Sequence, residues 1–380
     1  MSRADTLRRI WNPPNPWLSR HSELLEPEEA ETEIFEDTSR SILSRNDSPD
    51  LHFRWSVNPY RGCSHACAYC YARPTHEYLG LGAGTDFDRK ILVKPRAPEL
   101  LRRELGKKSW RGELVVFSGA TDCYQPLEAT WKLTRACLEV CAELGNPVSV
   151  ITKSALVLRD SDLLASMAER GLASVAVSIP FLRSATCRAI EPGAPAPARR
   201  FEVIRRLAAA GVPVGVAVAP IIPGLNDSDI PGILRRARES GASSAFRILL
   251  RMPGSAHDVF FRRLHEQMPE RAAKVGARIR EARGGKERES RFGRRFVGTG
   301  VYWETLDDLW AFWIRRLGYR DWKEGAVPVP EGAPGTPGTE RAGEGSRNRP
   351  DPGTASRRRA APPTPQLDLW GPSGPGAPAG

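Results

Sequence analysis

Between residues 51 and 250, short apolar runs alternate with longer stretches whose apolar positions recur every three or four residues. The runs at 52–57, 113–117, 148–152, 174–179, 214–219 and 245–250 are rich in Val and Ile and read as strands. The stretches at 98–105, 129–144, 161–169, 198–210 and 231–240 carry helical spacing. Six strands separated by helices are the pattern of consecutive βα units, hence an α/β fold with a parallel sheet. In such folds the chemistry sits at the C-terminal ends of the strands, so the polar residues there matter most.

Beyond the last strand, residues 257–283 read as helical and basic. The loop at 284–300 is rich in Gly and Arg, with Lys286, Arg288, Arg291, Arg294 and Arg295. Val301–Leu317 then forms an amphipathic helix with Tyr302, Trp303, Trp310, Phe312 and Trp313, a stripe that reads as core packing rather than a binding face. Four regions are expected. Residues 1–50, with 11 acidic and 6 basic side chains, form an acidic leader, peripheral or flexible. Residues 51–255 form the sheet domain, and 256–325 a helical, basic extension. Residues 326–380 hold 12 Pro and 10 Gly, too little to bury, and are expected to be a disordered tail.

Composition adds bounds. The 380 residues are 40% hydrophobic with no run of 18 apolar residues, so no membrane span is expected. Residues 1–20 lack the apolar stretch of a secretory signal. Seven cysteines, an odd number, point to a reducing compartment and a cytoplasmic location. The net charge of +11 belongs to the body of the chain, since the first 50 residues are acidic. A basic body attracts polyanions, nucleic acid foremost, although Arg-rich proteins are often basic without binding it.

The candidate chemistry centres on Asn58-Pro59-Tyr60-Arg61-Gly62-Cys63-Ser64-His65-Ala66-Cys67-Ala68-Tyr69-Cys70. Three thiolates at this spacing can surround one metal centre, and no fourth cysteine stands close by. A four-iron cubane with three protein ligands and one open iron fits best. A zinc knuckle completed by His65 or a distant Cys, or three unrelated buried thiols, remain as other readings. At the following strand ends stand Ser118, Thr121, Asp122 and Cys123, then Thr152-Lys153, then Ser178-Ile179, Glu191-Pro192-Gly193 and Arg199-Arg200, then Ala219-Pro220-Ile221-Ile222-Pro223-Gly224-Leu225-Asn226-Asp227. The 118–126 stretch also reads as a capping turn for the next helix.

The cysteine loop resembles that of the radical S-adenosylmethionine superfamily, CxxxCxΦC, with Tyr69 at the aromatic position. The strand-end motifs are similar to those of its spore photoproduct lyase-like, or DNA repair photolyase-like, group, from about Trp55 to Trp313. The resemblance implies a partial (β/α)6 radical SAM barrel with a [4Fe-4S] cluster on Cys63, Cys67 and Cys70. It implies that S-adenosylmethionine binds the open iron, with Tyr69 against the adenine and Ser118, Thr121, Asp122, Lys153 and Ser178 as further contacts. Lys153 and Cys123 are the candidate catalytic residues. The lyase's cysteine hydrogen donor would fall at Gly119 here, so the nearby thiol of Cys123 is the substitute. The expected partners are a nucleic acid, DNA first, with the 286–295 loop on its phosphates, and an electron donor such as flavodoxin or ferredoxin. A radical SAM enzyme acting on a protein or small metabolite, and a non-catalytic metal-containing nucleic-acid-binding module, are the alternatives. In the tail, Gln366-Leu367-Asp368-Leu369-Trp370 resembles the pentapeptide that docks on the bacterial sliding clamp, through Gln366, Leu367, Leu369 and Trp370.

Overall fold

The computed structural model describes residues 32–321. Eleven strands run in chain order among these residues: β1 (Glu33–Glu36), β2 (Leu43–Arg45), β3 (Trp55–Val57), β4 (Tyr60–Arg61), β5 (Lys90–Val93), β6 (Val115–Phe117), β7 (Val148–Thr152), β8 (Ala173–Ser178), β9 (Val214–Ile221), β10 (Ser244–Leu249) and β11 (Arg320–Asp321). The main sheet has the order β11-β10-β9-β8-β7-β6-β3-β2. Its six central strands, β3 and β6 to β10, are parallel in the order of the chain, and the sheet stays open at both edges. That is the partial (β/α)6 barrel. Every residue of β8, Ala-Ser-Val-Ala-Val-Ser, is buried, as a central parallel strand covered on both faces requires.

The helices are α1 (Thr85–Arg89), α2 (Ala97–Leu105), α3 (Glu128–Trp131), α4 (Leu133–Glu143), α5 (Ser161–Glu169), α6 (Ser184–Ile190), α7 (Pro197–Ala209), α8 (Ile230–Glu239), α9 (Ala256–Gln267), α10 (Pro269–Ala282) and α11 (Val301–Leu317). Two stretches expected as single helices are each divided. Lys132 takes a left-handed conformation (φ 53°) between α3 and α4. Met268 leaves helical geometry before Pro269, which then opens α10 at the position where a missing N–H costs nothing.

Part of the expected leader is built into the domain. Ile42 and Leu43 are buried in the main core, and β2 closes one edge of the sheet by antiparallel pairing with β3. The strand β1 pairs in parallel with β5 in a small second sheet, with all four of its residues exposed. The short spans and acidic flanks of these strands hid them from a periodicity reading. The C-terminal extension also returns to the barrel. α11 packs on α8, the Tyr319 hydroxyl donates to the Leu234 carbonyl at 2.6 Å, and β11 pairs with β10. The aromatic stripe of α11 splits by depth: Trp303 is buried in the core, whereas Phe312 is exposed. The tail and its 366–370 motif lie outside the described residues. No helix among the described residues is long and apolar enough to cross a membrane.

Candidate active site

The strand β4 delivers the cysteine loop into the mouth of the barrel. Gly62 turns the chain at φ +79°, where an added Cβ would meet the Phe87 carbonyl and Ile91 Cδ1 at 2.9 Å. No other residue fits there without movement. The loop's backbone is then held from three sides. Cys63 N–H donates to Phe87 O at 2.9 Å, and Gln125 brackets the turn, donating to Gly62 O at 3.0 Å and accepting from Ser64 N–H at 3.2 Å. From the α6–α7 side, Ala68 N–H reaches Ile190 O at 2.9 Å and Gly193 N–H reaches His65 O at 3.1 Å. A Cβ at 193 would lie 2.1 Å from Ser64 O, so glycine permits this approach.

Cys63 and Cys67 are buried and Cys70 half-buried. Burial pushes the Cys67 thiol well above its usual range; Lys153 opposes that, while Cys63 and Cys70 add to it. Burial likewise raises Cys70 to about 11. Three closely grouped thiols on one pinned loop, with a lysine cation beside them to favour thiolates, suit an iron–sulfur cluster in donor chemistry. Among the described residues no three His, Cys, Asp or Glu side chains converge on a single-ion site. Ligands to three different irons need not converge on one point.

Two buried networks meet at this loop. In the first, Asp122 accepts from Thr152 Oγ1 at 2.7 Å, Lys153 N–H at 2.8 Å and Tyr124 N–H at 2.9 Å. His65 Nδ1 lies 3.3 Å from the same carboxylate, near enough for attraction though not aligned as a hydrogen bond. Burial raises the Asp122 pKa, but His65 and the donors outweigh it and hold the group below the usual carboxylate range. In the second, Glu191 accepts from the Tyr69 hydroxyl and from Arg200 Nη2. Arg200 is wholly buried and also donates to Ser178 O at 3.0 Å and Pro195 O at 2.8 Å. Cys187 joins it, 3.3 Å from Arg200 Nη2 and 3.4 Å from Glu191 Oε2. Lys153 Nζ stands 5.8 Å from the Tyr69 ring centre. Burial lowers its pKa, and Cys67, Glu191 and Asp122 raise it further than burial lowers it, so it stays protonated.

The expected site residues therefore divide. Cys63, Cys67, Cys70, Tyr69, Lys153, Asp122 and Ser178 come together. Asp122 is filled by protein donors, so it orders the strand ends rather than offering a vacant carboxylate. Thr121 is buried and donates to Tyr60 O at 2.7 Å, away from that group. Ser118 holds a positive φ of 74° and accepts from Cys123 N–H at 2.9 Å. Cys123 is 0% exposed, within the main apolar core, and burial drives its thiol well above the usual range. The raised pKa keeps it a thiol, the form a hydrogen-atom donor needs, but its full burial shuts it off from a substrate radical and so argues against the donor role expected of it. Of the basic loop, Arg295 is equally buried, paired with Asp50 at 2.7 Å, and so is structural rather than a phosphate contact. Gln125, Glu191, Arg200 and Cys187 carry the site's architecture without having been assigned to it from sequence, although Glu191-Pro192-Gly193 and Arg199-Arg200 stood out as a motif.

The family model of the radical SAM superfamily matches residues 57–237, from the end of β3 into α8. The chain thus carries a radical SAM domain, which takes up just under half of its length. Proteins of that superfamily use S-adenosylmethionine and an iron–sulfur cluster. An uncharacterized protein of Mycobacterium tuberculosis is 40% identical over 222 residues, which are 58% of this chain and 65% of that protein. The chain thus spans just under two thirds of that relative's length. An uncharacterized protein of Acidianus two-tailed virus is 31% identical, covering 54% of this chain and 70% of its own. Spore photoproduct lyase complexed with dinucleoside spore photoproduct shares the fold, with a TM-score of 0.53 and 17% identity over 76% of this chain and 81% of that one. A mutant of the same lyase with bound AdoMet and the dinucleoside superposes with a TM-score of 0.51, at 17% identity over 76% and 80% of the two chains.

Proposed function

We propose that this radical SAM enzyme acts in the cytoplasm on a nucleic acid, DNA first, in repair or base modification, with a [4Fe-4S] cluster on Cys63, Cys67 and Cys70. The observation that carries it is the meeting of Tyr69, Lys153 and the three thiols at one end of the sheet, on a fold shared with a lyase solved with a dinucleoside photoproduct. Such a cluster, when bound, supplies the electron that splits S-adenosylmethionine into methionine and a 5′-deoxyadenosyl radical, which takes a hydrogen atom from the substrate.

The chain's own residues prepare that step. Glu191 fixes the Tyr69 ring by its hydroxyl, and a ring so held would pack against the adenine. The ammonium of Lys153, kept charged, would pair with the cofactor's carboxylate. Ser118 Oγ already accepts from Cys123 N–H, so its proton is left to donate; Ser178 Oγ donates to Ala219 O at 3.2 Å, so its lone pairs are left to accept. Asp122 holds Lys153 and His65 in place through its backbone and ring contacts.

Gly119 sets a limit on the reaction. A Cβ there would lie 2.7 Å from Ser56 Cβ and Oγ, so this chain has no room for a side-chain hydrogen donor at that position. The product radical is quenched from elsewhere, by a route different from the one the resemblance implies. Flavodoxin or ferredoxin is the proposed electron source. The 366–370 motif, outside the described residues, is proposed to tether the enzyme to a sliding clamp; titrating a peptide of residues 362–374 against the clamp, with a Gln366→Ala, Leu369→Ala control, tests that part.

The central experiment incubates the reduced, reconstituted enzyme with deuterated oligonucleotides and follows label into 5′-deoxyadenosine. Label from DNA or RNA is the expected result. Cofactor cleavage without transfer from any nucleic acid, together with transfer from labelled peptides or metabolites, overturns the assignment.

A further inference from the structure

Behind the end of β10, between the C-terminus of α10 and the basic loop, lies a cavity of about 170 Å³. Arg283, Lys286, Arg291 and Arg294 line it, and Glu289 is the one carboxylate on its wall. Glu289 is already occupied: it accepts from Arg291 Nε at 3.1 Å, Nη2 at 2.9 Å and the Arg291 N–H at 3.0 Å. Four cations against one satisfied carboxylate leave the wall strongly positive.

Arg283 distinguishes this cavity from an ordinary basic surface. It is only 8% exposed. Its Nη2 donates to Leu250 O at 2.5 Å and to Arg295 O at 3.2 Å, while its Nη1 is buried with no hydrogen-bond partner. A buried guanidinium N–H without an acceptor is costly unless something supplies one. Burial lowers the Arg283 pKa to about 10, with Glu289 opposing, so the group is still a cation near neutrality. The volume is several times what one water needs, room enough for a tetrahedral anion.

The cavity wall is also tied to the packing around the cysteine loop. Leu250, which Arg283 holds, follows β10 directly and packs in the same apolar cluster as Cys67 and Tyr69. The charge of Arg251 acts both on Arg283 and on Tyr71, the residue after Cys70. The charge of Arg251 thus lies within electrostatic reach of both the cavity and the end of the cysteine loop.

We propose that this cavity seats one phosphodiester of the nucleic-acid strand, with Arg283 as its buried contact and Lys286, Arg291 and Arg294 around the opening. It rests on the reading of the substrate as a nucleic acid and adds where the strand is anchored. Arg283 has its Nη1 N–H to give to a phosphate oxygen, a charge-assisted bond, and a strand held here by its backbone leaves its bases free to be presented elsewhere.

The test uses the full chain, anaerobically reconstituted, and fluorescence anisotropy with a labelled ten-nucleotide single strand. Arg283→Gln also loses the links to Leu250 and Arg295, so the decisive variant is the surface pair Lys286→Ala, Arg294→Ala. A roughly tenfold loss of affinity is expected, with the salt slope reduced by about 0.7 for each phosphate contact removed. A series of strands carrying one neutral methylphosphonate linkage should show one position that costs the wild type about tenfold and the double variant little. Equal affinity and salt slope in wild type and variant, with a flat methylphosphonate series, overturns the site while strand binding itself survives. Competition by inorganic phosphate with a flat series makes it a free-anion site and also overturns the proposal. A wild type that binds no strand at any salt concentration overturns the nucleic-acid reading beneath it.

Discussion

Replacing Glu191 with Gln tests whether the buried network behind Tyr69 holds both the fold and the cofactor pocket. The substitution keeps size and shape but removes the charge that faces Arg200 and Lys153 and accepts the Tyr69 hydroxyl. Removing one member of a buried ion pair costs about 3–5 kcal/mol, because the other charge stays in the interior uncompensated. Arg200 keeps its bonds to Ser178 O and Pro195 O, which places the cost at the lower end, about 3 kcal/mol. At about 2 °C per kcal/mol for a domain of this size, the unfolding midpoint should fall by about 6 °C. Losing the charge-assisted bond to Tyr69 should weaken S-adenosylmethionine binding by about tenfold or more, from about 1.5–3 kcal/mol. Thermal unfolding and equilibrium dialysis of the reconstituted protein measure the two effects. The double variant E191Q/R200M separates them. With both charges gone most of the stability should return, since neutral replacements of a buried pair are often tolerated, but cofactor affinity should stay low. An E191Q protein that unfolds at the wild-type midpoint and binds the cofactor normally refutes the reasoning.

Other outcomes follow from the same geometry. Cys67→Ala, like Cys63→Ala or Cys70→Ala, should lose the cluster's iron and visible absorbance, whereas Cys187→Ala should keep both; four irons retained in Cys67→Ala would count against the ligand assignment. Cys123→Ala should lower stability by about 1 kcal/mol or more through lost core packing, with cofactor cleavage and product identity unchanged; altered products by mass spectrometry would restore a donor role. Gly119→Ala should cost about 1–3 kcal/mol by overpacking against Ser56, and adding Ser56→Gly should recover most of it in urea unfolding. Burial, with Arg61 adding to it, lowers the pKa of Lys94 to about 8. Between about pH 8 and 10.4 the unfolded chain therefore binds a proton that the folded chain has released, and stability should rise with pH relative to Lys94→Met, by at most about 1.4 kcal/mol per unit. A stability difference that stays flat across that range contradicts the assigned burial penalty.

The sequence by itself determined the elements that repeat and the ligands that lie close together in the chain. The six central strands were legible because parallel strands covered on both faces must be continuous apolar runs, as in β8, and the helices between them must carry an apolar stripe. The cysteine loop was legible because a metal site within eight residues is encoded in spacing alone. Only the tertiary structure decided what lies in reach of what. Thr121, Asp122 and Cys123 are consecutive, yet one caps Tyr60 O, one ties two strand ends together and one is sealed in the core. A single tight turn sends neighbouring side chains in different directions, and no periodicity reports which. The pairing of Glu191 with Tyr69 spans 122 positions of sequence and that of Arg295 with Asp50 spans 245, so neither leaves a local signal. The edge strands β1 and β2 were missed for a related reason. A strand of three or four residues is stabilised mainly by the neighbour it pairs with, and that neighbour is set by the fold rather than by the strand's own pattern.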